Sequence, residues 1–518
     1  MNTKLLIHTL RHLRLRQVCY QVRYRLLKPK FVAHRVTNAV VRCNVTKGVD
    51  RYLCCEGEKL NFLNITDDFK GWPDTSKGML WAYNLNYMDW LNQPNMPYEI
   101  GARWIDDFIH NLPFNSVGQD PYPIALRAIN WIKFITKYWD DIPAEKRTEW
   151  CNSLYSQYQL LIKKLEYHLL ANHLLEDVYS LFIGAIFFRN EKIYKLSTKL
   201  LKRELNEQIL KDGAHYEQSV MYHIILLERL LDCYNFSFNN ICFVAQDRIN
   251  DFLYQKAKLM LGHLESIKYI DYSFPLFNDA AIGIAPSISD VFNYAKRLDI
   301  EWDSINLLDS GYRRMQNNCF EATIDVGNIM ASYQPGHSHA DTFNYELRIN
   351  GMPFVVDTGI STYNKTKRRQ YERSSAAHNV VVIDNLNSSE VWGGFRVGRR
   401  AKVKLIKDSR DNIIAIHNGY SKYGDIERSF EIREYEFIIK DLVKYKTEAI
   451  SYIHFAPNVI VDIVNGNLMT NILNINIDGA NKIEIVENTI SKEYNKFEPI
   501  KVAKIYFNSN LKLTFVKI

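Results

Sequence analysis

Apolar positions along the chain follow two different rhythms. Between about Trp72 and Ile284 they recur every three to four residues, the repeat of helices with one buried face. The run from Tyr122 to Ile135 shows it, as do Leu160 to Leu170, Val178 to Phe188 and Met221 to Leu231. After about Cys319 the rhythm shortens. β-Branched and aromatic residues cluster in brief runs: Asn344 to Ile349, Pro353 to Asp357, Asn379 to Asp384, Lys402 to Ile406, Ile413 to His417, Glu434 to Ile439 and Val459 to Val464. Asn350-Gly351 sits between two such runs and predicts a type I′ hairpin, and Asn465-Gly466 predicts another turn. A helical half followed by an all-antiparallel β-half, most simply a sandwich, is the expected architecture. The stretch from Ala285 to Asn318 is mixed and reads as the junction.

The size supports more than one domain: 518 residues would ordinarily fill about two to four. With 47% hydrophobic and 24% charged residues, disordered, collagenous and disulfide-scaffold classes are excluded. The net charge of +7 suggests a general polyanion binder until its distribution is read. Residues 1–49 carry 11 Lys and Arg and no Asp or Glu, which leaves 54 basic against 58 acidic residues in the remainder. The excess therefore belongs to an N-terminal arm, and a nucleic-acid partner is not expected. The arm's longest apolar run, Leu5-Leu6-Ile7, falls short of the roughly 7–15 residues of a signal peptide. No segment reaches the roughly 18 apolar residues of a spanning helix. Scattered cysteines without a CxxC pair predict free thiols in a reducing compartment, including the adjacent Cys54 and Cys55. The expected location is cytoplasmic, or peripheral at the inner membrane. The arm has two readings. It lies on anionic lipid, where each charge contributes ~1 kcal/mol, or it docks on the protein's own body. On the first reading, removing it changes location and leaves the chemistry intact.

Four polar clusters are candidates for chemistry: Asn172-His173 with Glu176; His215 to His223 with Tyr222; Gly336-His337-Ser338-His339; and Asp357, Tyr363 and His378. In a strand His337 and His339 would share a face, unless Gly336 marks a turn that splits them. His339, Asp357 and His378 form a two-histidine, one-carboxylate set suited to Zn2+. An HxH pair satisfied within a core is the competing reading. Asn172 and Glu176 could equally be helix-capping residues. Seven tryptophans between Trp72 and Trp150 either line a sugar-stacking groove or fill a core. No GxSxG, P-loop or Rossmann glycine pattern is present.

Taken together, the segments 172–177 (NHLLED), 212–223 (DGAHYEQSVMYH), 274–281 (FPLFNDAA), 336–359 (GHSHADTFNYELRINGMPFVVDTG) and 371–384 (YERSSAAHNVVVID) resemble the heparinase II/III-like polysaccharide lyases. Residues 9–26 resemble members encoded with surface-polysaccharide assembly genes. The resemblance implies an (α/α) toroid over 50–310 and an antiparallel β-sandwich over 311–518, after the basic arm of 1–49. It implies β-elimination at a uronic acid of an acidic polysaccharide, in a capsule or O-antigen setting. It places neutralisation of the substrate carboxylate on Asn172, with His173 and Glu176 beside it. It places a general acid/base on Tyr222, a second base on His337, and one structural Zn2+ or other divalent cation on His339, Asp357 and His378. It implies no organic cofactor. Arg127, Asn130 and Trp131 fall on a family-like helix that lines the groove, and His215 falls in the Tyr222 segment. Tyr363 falls near an active-site tyrosine of related lyases, although DTGIST (357–362) departs from the commoner DPGTYT.

This chemistry suits the residues. A uronate C5 proton is very weakly acidic, and donors on the carboxylate stabilise the charge that develops as it leaves. A base takes the proton and an acid protonates the departing O4. With a reference pKa of about 10, tyrosine is a competent acid as a phenol. Two other functions fit the same sequence: a non-catalytic glycan-binding or assembly protein on this fold, and a hydrolase using Glu176 with Asp177 or Glu217.

Overall fold

The computed structural model describes residues 3–445 and 447–517. Helices α1 (Thr3–Leu10) and α2 (Leu15–Leu26) form the arm, which continues as an extended strap to residue 49. A small three-stranded sheet over 55–68 follows, and then nine helices: α3 (Met79–Tyr87), α4 (Tyr98–Asn111), α5 (Pro121–Lys137), α6 (Ala144–Lys164), α7 (Ala171–Phe187), α8 (Glu191–Gln208), α9 (Val220–Asn239), α10 (Gln246–Ile267) and α11 (Ile288–Arg297). Helices α3, α5, α7 and α9 pack in succession, each against the next, while α4 packs on α6 and α8 on α10. The chain thus alternates between an inner and an outer row, the toroid of helical hairpins. Helix α7 explains the arrangement. Its sequence is apolar nearly all round, and every residue except His173 is buried. A helix of that kind is stable only when neighbours cover all its faces.

From Tyr312 onward the chain is β-structure, with one short helix, α12 (Lys367–Glu372). One sheet has eight strands, ordered Val403–Asp408, Asn412–His417, Ile426–Ile432, Glu436–Val443, Asn510–Lys517, Leu473–Asp478, Asn467–Thr470, Val461–Val464. Two four-stranded sheets complete the layer, one running from Lys482–Ile490 through Glu498–Phe507 and Ala449–His454 to Val381–Ile383, the other built from the strands between Tyr312 and Val355. Every paired strand is antiparallel. A second hydrophobic core, including Phe320, Tyr345, Phe354, Phe430, Phe437 and Phe515, lies between the sheets. Both Asn-Gly turns form as expected: Asn350 and Gly351 have φ of 50° and 80°, and Asn465 and Gly466 have 50° and 76°. The mixed stretch 285–318 holds α11 and the first strand of the sandwich.

The arm is not a separate appendage. Gln17 is buried and donates from Nε2 to the carbonyls of Leu169 (3.2 Å) and Tyr333 (3.3 Å), one in each half of the protein. Arg14 pairs with Glu207 at 2.5 Å, His8 meets Glu390 at 2.8 Å, and the Tyr24 hydroxyl donates to the Leu165 carbonyl. The strap then runs along the toroid, bonded to Ser156, Asn152 and Asn235. The arm therefore staples toroid to sandwich, which supports the reading in which it docks on the protein's own body. One side of α2 remains exposed, with Leu15, Val18, Val22 and Leu26 between 42% and 79% accessible. All eight cysteines are free thiols. Among the described residues no helix is long and apolar enough to cross a membrane.

Candidate active site

A cavity of about 490 Å³ opens between the inner ends of the toroid helices and the loops of the sandwich. Its walls are rich in phenols: Tyr83, Tyr87, Tyr122, Tyr222, Tyr363 and Tyr494. The polar centre is assembled from four segments, and three of them carry backbone strain at the joint. Leu170 (φ 63°) and Ala171 (φ 54°) precede Asn172, Gln218 (φ 59°) follows Glu217, and Asn278 (φ 59°) precedes Asp279. Left-handed conformations in non-glycine residues cost of order 1–3 kcal/mol each. Here each one turns a polar side chain towards the cavity or its floor. On the sandwich side Gly359 (φ 61°) bridges to Ser491, and a Cβ there would lie 2.2 Å from the Ser491 carbonyl oxygen. That close approach carries Tyr494 to within 5.4 Å of Tyr363, centroid to centroid.

Asp279 organises the centre. It is fully buried, and Arg369 of α12 grips both its oxygens, at 2.5 and 2.7 Å. His337 Nδ1 lies 2.9 Å from Oδ2, and His339 Nε2 lies 2.9 Å from Oδ1. Burial alone would raise this carboxyl, but Arg369 and the two imidazoles outweigh it and hold it well below the usual range. Asp279 is thus an anion that accepts from His337 Nδ1, leaving Nε2 as the ring nitrogen with a free lone pair. That Nε2 lies 3.1 Å from Asn172 Nδ2 and 3.4 Å from Glu217 Oε2. Glu217 also accepts from the Asn172 backbone N–H at 3.0 Å, and burial raises its carboxyl. Two helix caps fix the geometry. Ser219 accepts from Tyr222 N and donates to the Asp279 carbonyl at 2.6 Å, and Thr366 accepts from Arg369 N.

Tyr222 lies flat against His337, with ring centroids 3.9 Å apart, and its hydroxyl meets that of Tyr363 at 3.1 Å. Burial raises both phenols, so both are protonated near neutral pH. At the rim His173 packs against Tyr122 with the rings tilted, 4.9 Å between centroids, and its Nδ1 lies 3.1 Å from Glu166. Burial opposes charge on His173, but Glu166, helped by Glu217 and Glu176, outweighs it and raises the imidazole above its ordinary value.

Residues 125–300 match the model of the heparinase II/III N-terminus, and residues 299–511 match that of the heparinase II/III-like C-terminal region. The chain belongs to the heparinase II/III-like family. A heparin-sulfate lyase of Pedobacter heparinus is 24% identical over 272 residues, covering 46% of this chain and 40% of that protein. A heparin-sulfate lyase of Bacteroides stercoris is 22% identical over 245 residues, covering 42% of this chain and 36% of that protein. The chain thus spans about two fifths of the length of the curated relatives it matches. In fold it is similar to a heparinase III crystal structure, with a TM-score of 0.70 at 14% identity, covering 96% of this chain and 89% of that one. The heparan sulfate lyase HepC of Pedobacter heparinus gives a TM-score of 0.57 at 17% identity, covering 96% and 87%. The toroid followed by a β-sandwich is the fold of these heparinase II/III-like proteins.

Within that fold the structure sorts the expected site residues. Asn172, His173, Tyr222, His337, Tyr363 and Asn130 all line the cavity. Asn172 is not a helix cap; it sits inside α7 and spends its side chain on Glu217 and His337. Arg127 and Trp131 do not line the groove. Arg127 is fully buried and bonds Gln157 and the carbonyls of Asn86 and Gly118, while Trp131 points its indole N–H at Met88. Both lie on core-facing sides of α5. Trp72, Trp81, Trp90, Trp104 and Trp150 are likewise core, so tyrosines take the groove positions expected of tryptophans. Glu176 and His215 support the site from behind the wall. Glu176 faces Arg229 at 3.8 Å, and burial pushes its carboxyl up to about 7. His215 bonds Gln208 at 3.0 Å, and burial lowers it to about 3. His337 lies in a turn and His339 in the irregular loop after it, not in a strand; they flank Asp279, the first open to the groove and the second sealed.

His339, Asp357 and His378 are brought together, yet pair with one another and with their neighbours. His378 Nδ1 is 2.9 Å from Asp357 Oδ2, and the two imidazoles are 5.3 Å apart. His339 Nδ1, His378 Nε2 and Asp341 Oδ2 are buried without partners, so the donor set suits a cation in kind. Among the described residues, however, no three such side chains converge on one point. Asp279, Arg369, Glu217 and Tyr494 complete the centre; sequence reasoning gave Asp279, Arg369 and Tyr494 no role, and Glu217 one only as a partner of Glu176 in a hydrolase. Asp279 and Glu217 lie inside family-like segments, but a carboxylate's role there depends on which partners fold against it.

Proposed function

We propose that the protein is a polysaccharide lyase that cleaves a uronate-containing acidic polysaccharide by β-elimination. The observation that carries the proposal is His337: its Nδ1 is held by Asp279, its Nε2 faces the groove beside Asn172, and Tyr222 lies flat against it. In this reading Asn172 and His173 bond the uronate carboxylate and stabilise the charge that develops on it. His337 Nε2 takes the C5 proton, and the C5–H electron pair becomes the C4=C5 double bond. The C4–O4 bond breaks, and Tyr222, bonded to Tyr363, gives its proton to the departing O4. A Zn2+ or other divalent cation at His339, Asp357 and His378 would be structural, since these residues lie behind Asp279 rather than in the groove.

The experiment is absorbance near 232 nm, from the unsaturated product, across a panel of uronans, with Tyr222→Phe as the comparison. Product formation that Tyr222→Phe reduces at least about 100-fold is expected. Binding without product would favour a glycan-binding protein, and saturated products would favour a hydrolase. We place the protein in the cytoplasm, in capsule or O-antigen assembly, with the exposed side of α2 on anionic lipid. That side carries an apolar stripe beside Arg16, Arg23 and Arg25 and no acidic residue. Equal sedimentation with neutral and anionic vesicles would count against this placement.

A further inference from the structure

The charges of the groove say which acidic polysaccharide suits it. Two guanidinium groups, Arg51 and Arg229, line the cavity, and both are already matched. Arg51 meets the two oxygens of Glu228 at 2.7 and 3.0 Å, and Glu228 is itself buried. Arg229 lies among Asp232 (3.4 Å), Glu228 (3.8 Å) and Glu176 (3.8 Å). Both imidazoles of the cavity also face carboxylates, His173 that of Glu166 and His337 that of Asp279. Among the described residues no lysine lines this cavity or the one that adjoins it. The adjoining cavity shares Arg51 and Asp89 and adds Asp50, Asp290 and Glu493. Lys47 and Lys496 pair with Asp50 and Glu493 at 2.8 and 2.7 Å, but stand outside it. Most of the remaining polar wall is phenol and amide, from Tyr83, Tyr87, Tyr122, Tyr494, Asn84 and Asn130.

A sulfate ester keeps its full charge at every pH near neutrality. Taken out of water, it needs a cation of its own. This groove has no unmatched cation to give it, and carboxylates lie along the path that flanking sugars would occupy. Phenols and amides, by contrast, suit hydroxyl and N-acyl groups. We propose that the groove takes a polysaccharide whose uronate carboxylate is the sole anion of its repeat, spaced by neutral or N-acylated sugars, and rejects sulfated chains. The position of the uronate rests on the lyase reading above; the exclusion of sulfate rests on the ion pairs alone.

The test uses the full-length Tyr222→Phe protein and isothermal titration with size-matched pairs of uronate oligosaccharides, identical except for N- and O-sulfation. The unsulfated member of at least one pair is expected to bind at least tenfold tighter than its sulfated twin, with a shallow dependence on salt. Equal or tighter binding of every sulfated twin overturns the proposal, as does failure of every unsulfated chain to bind. Glu228→Gln frees Arg51, and is expected to narrow the ratio to below threefold; an unchanged ratio in a folded variant overturns the charge argument. Cleavage by the unmodified protein is read separately. Discrimination in binding with no 232 nm product removes the lyase reading and leaves this proposal standing. Product made faster from sulfated chains does the reverse.

Discussion

Replacing Asp279 by asparagine probes the centre most directly, because one carboxylate serves three partners. Each of its oxygens accepts from an imidazole and from an Arg369 N–H. In the asparagine one of those atoms becomes an N–H2, which must face a guanidinium N–H whichever way the amide turns. The negative charge opposing Arg369, 1% exposed, is lost as well. Breaking a buried pair from one side costs about 3–5 kcal/mol, or roughly 3–9 °C in Tm for a chain of this size. In the orientation that presents Nδ2 to His337, its Nδ1 becomes the acceptor, the ring proton moves to Nε2, and the base loses its lone pair. General-base catalysis contributes about 10²–10⁴-fold, so kcat should fall by that factor while KM changes little. The assay is initial rate at 232 nm on the best uronan of the panel, beside thermal unfolding. Arg369→Lys is the control that separates the two effects: it weakens the pair but keeps the acceptor, and should lower Tm with less than about tenfold loss of kcat. Equal kcat losses in both variants would make Asp279 a scaffold only. Wild-type kcat in Asp279→Asn would remove the His337–Asp279 pair from the mechanism.

Three further outcomes are expected. Gln17→Ala removes two buried bonds to the segments that lead into Asn172 and His337, and should cost about 1–3 kcal/mol of stability; deletion of residues 3–26 should lower activity at least tenfold, and undiminished activity would show that the arm does not position the site. Glu166→Gln removes the main groups of causes that raise His173, so its imidazolium is lost at lower pH; KM near neutrality should rise, the alkaline limit of binding should shift towards acid, and an unmoved profile would exclude His173 from carboxylate recognition. If a divalent cation stabilises the sandwich, elemental analysis of gently purified protein should find about one per chain, and chelation should lower Tm in the unmodified protein but not in His339→Ala; protein free of metal and unmoved by chelation would argue against the site.

Much of the site was legible in the residues themselves. Asn172, Tyr222, His337 and Tyr363 meet in one cavity although 191 positions separate the first from the last. What misled was amphipathicity. Arg127 and Trp131 share a helix with the groove residue Asn130, but helix α5 is buried on most of its circumference, so residue type could not say which side meets the cavity. The tryptophans went wrong for the same reason: a large apolar ring fills an inter-helix space as readily as it lines a groove. Asp279 and Arg369 stayed hidden because a lone Asp and one Arg among several basic residues, 90 positions apart, become a pair only when the chain folds back.

Sequence alone determined the two periodicities, the Asn-Gly turns and the uneven charge, because each is a local property: side-chain spacing, allowed φ, or a count. The tertiary structure decided which charges remain available. The arm's basic excess is partly spent stapling two domains, and both groove arginines are matched by carboxylates, Arg51 by Glu228 from far along the chain and Arg229 by its neighbours Glu228 and Asp232 together with Glu176. Formal charge adds along a sequence, but the field a ligand meets is set by which opposite charges lie within a few ångströms, and only folding brings those together.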